Sequence, residues 1–157
     1  MSGAPAVAIR AARPADAPAV SALLRQLGYE AGPAQVQGRL EALAGSAADT
    51  VLVAAVGSEI AGCISLHALP LFHAEGRLGR ITSLVVDQGR RSRGIGGALM
   101  AAADAWFEAA GCVKTEVTSG DHRADAHRFY ARHGYARDGQ RLSRRGQEAR
   151  PIRPGLD

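Results

Sequence analysis

The sequence predicts a single mixed α/β domain, and three observations predict it. Runs of β-branched and apolar residues alternate with stretches whose apolar residues recur at helical spacing. A glycine-rich turn stands between one such run and a long helical stripe. The length, 157 residues, supports one hydrophobic core. Hydrophobic residues make up 46% and charged residues 22%, which excludes a disordered tail protein. No apolar run approaches the roughly 20 residues that span a bilayer, so no membrane partner is expected.

The elements follow in order. Val7-Ala8-Ile9-Arg10 reads as a first strand, ended by Arg13-Pro14. Asp16 stands where an N-cap belongs, and Val20, Leu23, Leu24 and Leu27 follow at helical spacing until Gly28. A second helix starts near Pro33 and carries Val36, Leu40 and Leu43; the two helices together form an expected substrate-facing lip. Residues 50–56 and 60–66 read as a hairpin around Gly57-Ser58. A looser loop holds Pro70, His73 and Gly76, and residues 80–86 form the next strand. Ile95, Leu99, Ala102, Trp106 and Ala110 make one helical stripe that Gly111 ends. Residues 115–119 read as a further strand. Residues 1–145 are expected to form the domain, and 146–157, with Pro151, Pro154 and Gly155, a loosely held tail.

The first ten residues lack a positive segment followed by an apolar one, and Cys63 and Cys112 are isolated, so a cytoplasmic chain with two free thiols is expected. Two cysteines cannot complete a four-ligand zinc site, and the five histidines show neither HxxxH nor HExxH spacing. No metal is expected.

The net charge is +4, carried by 18 arginines and the single Lys114. Such a surplus suits an anionic partner: nucleic acid, a phosphorylated cofactor or an acidic substrate. The segment Arg90-Arg91-Ser92-Arg93-Gly94-Ile95-Gly96-Gly97 locates an anion site. The first turn of a helix has unpaired N–H groups and a partial positive charge, and glycines let a phosphate approach the backbone. Arginines beside it add charge-assisted donors. A Walker A loop would need Gly-Lys-Ser/Thr, which is absent. A dinucleotide fingerprint would need a third glycine where Leu99 stands and an acid where Lys114 stands. The bland alternative is a tight turn with solvated arginines.

Val86 followed by Arg91-x-x-Gly94-x-Gly96 resembles the Q/R-x-x-G-x-G/A motif of the Gcn5-related N-acetyltransferases, the GNAT superfamily. Gln88 and Ser92 depart from the proline and glycine common there. Downstream, Ala126-x-x-Phe129-Tyr130-x-x-x-Gly134-Tyr135 is similar to the family's A-x-x-[FL]-Y-x-x-x-G-[FY] helix and turn. On these two motifs the chain is identified as a small bacterial-type member. The resemblance implies a mostly antiparallel central sheet with helices on both faces and splayed fourth and fifth strands. After the tyrosine helix it implies a final hairpin, with Arg141, Arg144 and Arg145 in the last strand.

The resemblance also implies transfer of an acetyl group from acetyl-CoA to a primary amine of a small molecule or peptide, by direct attack and without a metal. Leu84, Val85 and Val86 would pair with the pantetheine arm through their backbone. Arg91, Ser92, Arg93, Gly94, Ile95, Gly96 and Gly97 would hold the pyrophosphate. Tyr130 would be the general acid near the sulfur. For proton removal, Glu116 is a candidate because some members of the family use a glutamate on this strand, beside a purely structural role for it; Ser83 and a water chain with no single base are the other readings. Phe129 is expected in the core. His67, His73, His122, His127 and His133 read as surface or satisfied residues. Nine arginines between Arg123 and Arg153 form a basic face, solvated or helping to hold the 3′-phosphate or an acidic acceptor. No aromatics interleave with them, so no nucleic-acid partner is expected. Members often form homodimers. A non-catalytic acyl-CoA-binding regulatory module of the same fold is the competing function, and nucleotide-dependent redox chemistry a third.

Overall fold

The computed structural model describes residues 6–91, 93–118 and 124–146. Ser92, Ser119 and His122 lie outside them. Five strands form one sheet in the order β1 (Val7–Ala11), β2 (Asp49–Val56), β3 (Glu59–Pro70), β4 (Arg77–Val86) and β5 (Cys112–Val117). The first four pair antiparallel, and β5 runs parallel to β4. Helices α1 (Ala17–Gln26) and α2 (Pro33–Leu43) cover one face; α3 (Ile95–Ala109) and α4 (Ala124–Arg132) lie on the other. This is the mixed architecture the sequence predicts.

Each face of the sheet has its own core. On the α3 side, Ile64, Leu66 and Ile81 meet Ile95, Leu99, Met100, Ala103 and Phe107, all buried. On the α1/α2 side, Val53, Cys63 and Val85 meet Val20, Leu23, Val36 and Leu40. Two glycines set how closely α3 sits. A Cβ on Gly79 would lie 2.5 Å from Phe107 Cδ1, and one on Gly62 would lie 3.1 Å from Leu99 Cδ1.

The bounds of α2 match expectation, as do the Gly57-Ser58 turn and the stop at Gly28, whose φ is +99°. There Tyr29 N–H donates to Leu24 O and Gly28 N–H to Arg25 O, closing the last turn of α1. Three expectations need correction, while Asp16 stands at the N-cap of α1 as the sequence predicts. The Asp16 side chain makes no capping hydrogen bond to α1. Its carboxylate instead accepts from Arg13 N–H (2.8 Å) and from both terminal nitrogens of Arg10 (2.7 and 2.9 Å). Those Arg10 bonds hold it below the usual carboxylate range. The buried stripe of α3 is Ile95, Leu99, Ala103 and Phe107, one residue round from the expected Ala102–Trp106 line, because Gly79 opens a slot for Phe107. Strand β5 begins at Cys112, three residues early, because Arg77 N–H donates to Gly111 O and carries the pairing back to the helix end.

The last correction concerns the final hairpin. Residues 136–146 are described and form no strand. Their Asp-Gly-Gln-Arg run offers no alternating apolar face, and Leu142 is left 90% exposed. A side-chain pair ties the segment to β5, Lys114 Nζ and Asp138 Oδ2 at 2.5 Å. Cys63 and Cys112 are both free thiols, buried and half-buried respectively. Among the described residues no helix is long and apolar enough to cross a membrane.

Candidate active site

The site grows from where β4 and β5 part. Their pairing runs from Arg77 opposite Cys112 to Ile81 opposite Val117 and stops. Strand β4 continues to Val86, held on its other edge by β3. Among the described residues no strand continues β5 alongside residues 82–86. Alternate backbone groups of Leu84, Val85 and Val86 therefore face an open edge, as a β-like partner requires. Val85 is buried under α1 and α2, so there only its backbone is on offer.

Beyond β4, a 3-10 turn over Gln88–Arg90 leads to the start of α3. Gln26, at the end of α1, pins this turn: its Nε2 donates to Asp87 Oδ1 (2.8 Å) and its Oε1 accepts from Gln88 N–H (3.0 Å). Gly94 then takes the left-handed conformation, φ +78° and ψ 5°, as the N-cap of α3. A side chain there would be strained. The N–H groups of Ile95, Gly96 and Gly97 precede the first helical acceptor pair, Ala98 N–H to Gly94 O, and point out of the helix end. Arg91 and Arg93 stand exposed beside them. Arg90 does not join them, since its guanidinium is paired to Glu59 in β3. The local charge is thus two arginines and a helix N-terminus, which fits a pyrophosphate.

Phe129 roofs this turn. A Cβ on Gly96 would sit 3.1 Å from Phe129 Cε2 and 3.7 Å from Val86 Cγ2, so the glycine is what lets α4 approach α3 and β4. His133 packs against the same ring, with centroids 4.6 Å apart. Tyr130 is half-buried against the α3-side core, edge-on to Phe129 at 5.5 Å and to Tyr135 at 5.9 Å. Its backbone carbonyl accepts Tyr135 N–H at 3.0 Å as Gly134 ends α4, so the tyrosine position is fixed by the turn after it. Tyr135 Oη donates to Thr115 Oγ1 of β5 at 3.2 Å. Burial raises the Tyr135 phenol.

Glu116 sits on β5 opposite Arg80, and Arg80 Nε donates to Glu116 Oε1 at 2.7 Å. Its carboxylate is therefore occupied by a guanidinium on the neighbouring strand. The sequence reading missed a polar strip on the α1/α2 face. His67 Nδ1 lies 2.8 Å from Asp49 Oδ1, and His67 Nε2 lies 2.7 Å from Thr82 Oγ1. Ser65 Oγ lies 2.6 Å from both Thr82 Oγ1 and Ser83 Oγ. Ser46 Oγ donates to Asp49 Oδ2 at 2.9 Å. The hydrogen bonds from His67 and Ser46 hold the Asp49 carboxyl below its usual range. The imidazole is carried by β3, which runs on to Pro70, beyond the expected end of that strand at residue 66. Among the described residues no group of three or more His, Cys, Asp or Glu is placed to hold a metal ion.

A glycine-capped helix start beside the parting of two parallel strands is the arrangement that the sequence resemblance implies. The chain matches the Acetyltransferase (GNAT) family over residues 17–135 and belongs to that family. A curated relative, aminoalkylphosphonate N-acetyltransferase of Salmonella typhimurium (strain LT2), is 42% identical over 77 residues, 49% of this chain and 50% of the relative. The match thus spans about half the length of that relative. Two solved structures share the fold. A transcriptional regulator from Bacillus halodurans C-125 superposes with TM-score 0.80 at 22% identity, covering 90% of this chain and all of that one. An aminoglycoside N-acetyltransferase in complex with CoA gives 0.81 at 14% identity, covering 94% and 99%.

Proposed function

We propose that the chain is an acetyl-CoA-dependent N-acetyltransferase acting on a small primary amine. The observation that carries this reading is the edge of β4 beyond Ile81, which no strand among the described residues covers, leading directly into the left-handed Gly94 and the start of α3. Family membership supports it. Acetyl-CoA supplies the activated acetyl group. The backbone of Leu84, Val85 and Val86 would pair with its pantetheine arm, and Arg91, Arg93 and the N–H groups of Gly94, Ile95, Gly96 and Gly97 would hold its pyrophosphate. Ser92 belongs to the same proposed cradle. Tyr130 is assigned the proton returned to the departing thiolate. Glu116, engaged by Arg80, is assigned to holding β5 against β4. An aminoalkylphosphonate is the first acceptor to test, on the strength of the curated relative. Two free thiols suit a reducing compartment, the cytoplasm.

The test is an amine panel followed by release of the CoA thiol, with aminoalkylphosphonates, polyamines, aminoglycosides, amino acids and peptides. Turnover of one class, reduced about 100-fold in Tyr130→Phe at saturating acceptor, is the expected result. An unchanged rate removes Tyr130 from the mechanism. Tight acetyl-CoA binding with no thiol release from any amine would favour a non-catalytic acyl-CoA-binding module instead.

A further inference from the structure

We propose that the hydrogen-bonded side chains Ser83, Ser65, Thr82, His67 and Asp49 form the route by which the acceptor amine loses its proton. The inference rests on the transferase reading above. It assigns to this relay the basic role that the family resemblance offered to Glu116.

The directions of the hydrogen bonds follow from one fixed end. An ionised carboxylate only accepts, so His67 Nδ1 carries the proton shared with Asp49. In the neutral ring Nε2 then has a lone pair, and Thr82 must donate to it. Thr82 Oγ1, having given its proton, accepts from Ser65, and Ser65 accepts from Ser83. Every bond points toward Asp49. The acceptor end left open is Ser83 Oγ.

Ser83 is where an amine would need it. It lies two residues beyond Ile81, the last β4 residue paired to β5, and directly before Leu84 on the open edge. A register shift makes the geometry. Ser65 faces Ser83 and Leu66 faces Ile81, so Thr82 is an extra residue in β4. The bulge puts two consecutive hydroxyls, Thr82 and Ser83, on one face with Ser65 and His67. Without it, one of them would point into the apolar core under α3.

The step balances. The ammonium N–H bond breaks as Ser83 Oγ takes that proton. Ser83 passes its own to Ser65, Ser65 to Thr82, and Thr82 to His67 Nε2. The products are a free amine and an imidazolium held by the Asp49 carboxylate. The His67 side chain is 27% exposed, so it can return the proton to water. The charged groups facing His67 are Asp49 from β2 and, as its register partner in β4, Arg80, which is paired to Glu116 of β5. Helix α2, packed against β2, carries Arg39 and Glu41, both exposed.

The test is the pH profile of kcat/KM for 2-aminoethylphosphonate, or for the best amine of the panel, in wild type and His67→Gln. The variant is expected to lose about 100-fold near neutral pH and then to rise with pH as the amine itself deprotonates in solution. Acetyl-CoA affinity, measured by calorimetry, should change less than twofold. Ser83→Ala should fall similarly, and Ser83→Thr should recover most of the rate, which separates the hydroxyl from packing. A His67→Gln profile superimposable on wild type overturns the relay while leaving the transferase intact. Equal activity in Ser83→Ala and Ser83→Thr overturns it as well, even if His67→Gln does not fold. No turnover of any amine by wild type overturns both the function and the relay.

Discussion

The two faces of strands β2 to β4 carry opposite chemistry. Toward α3 they are apolar along most of their length, with Ala54, Ile64, Leu66 and Ile81 buried. Toward α1 and α2 they start alike, with Val53, Cys63 and Val85 buried, and turn polar within four residues of β3: Cys63, Ser65, His67. One face is a floor for a helix. The other is a floor for half its length and an open hydrogen-bonded strip for the rest. An antiparallel sheet can face water on one side, and here the uncovered half holds the relay beside the parting of β4 and β5. The lesson is that stability and chemistry are divided between faces of the same strands, and a one-residue bulge assigns side chains to each.

Substitutions can break that division or sharpen it. On the α3 face, Leu99→Ala removes a fully buried side chain and should cost about 2–5 kcal/mol in urea unfolding. Gly94→Ala, at φ +78°, should cost about 1–2 kcal/mol, and it should also weaken acetyl-CoA binding in calorimetry by distorting the anion cradle. On the polar strip the pattern reverses. Ser65→Ala leaves its partners open to water and should alter stability by no more than about 0.5 kcal/mol, yet lower the acetylation rate by interrupting the relay. A comparable stability loss at Ser65 and Leu99 would abolish the division. The smallest effect is the pH dependence of Asp49. Its pKa is lowered on folding, so its contribution is complete above about pH 5 and is lost as pH falls through its folded value. Wild type should therefore lose its margin over Asp49→Asn in thermal unfolding below that pH.

The strand, turn and helix from Arg80 to Gly97 were legible in the sequence because their parts are contiguous: strand, arginines, glycines and helix follow one another. Helix α2 was legible for the same reason, with Pro33 marking its start. The relay was not. Asp49 and His67 are 18 residues apart and Thr82 is 15 further on, so only strand register and the bulge at Thr82 bring them together. The sequence pattern ends this strand at residue 66, one short of His67, whereas β3 runs to Pro70 and carries the imidazole into the strip. The Arg90 charge could not be discounted from sequence either, since Glu59 reaches it only across the sheet. The expected last strand failed for a local reason: family pattern predicted it, while residues 136–146 lack the alternation a strand needs.

Cys63 has a consequence for measurement. Burial pushes its thiol up to about 12, so at neutral pH it presents almost no thiolate to a disulfide reagent. It lies at the centre of β3, beneath α1 and α2, where a reagent can reach it only after those helices lift. Its labelling rate is therefore a clock for opening of the α1/α2 layer. Cys112, half-buried at the start of β5, reports on an edge strand of the same sheet. Two thiols in one reaction trace would time the release of two layers separately, with no probe added to the chain.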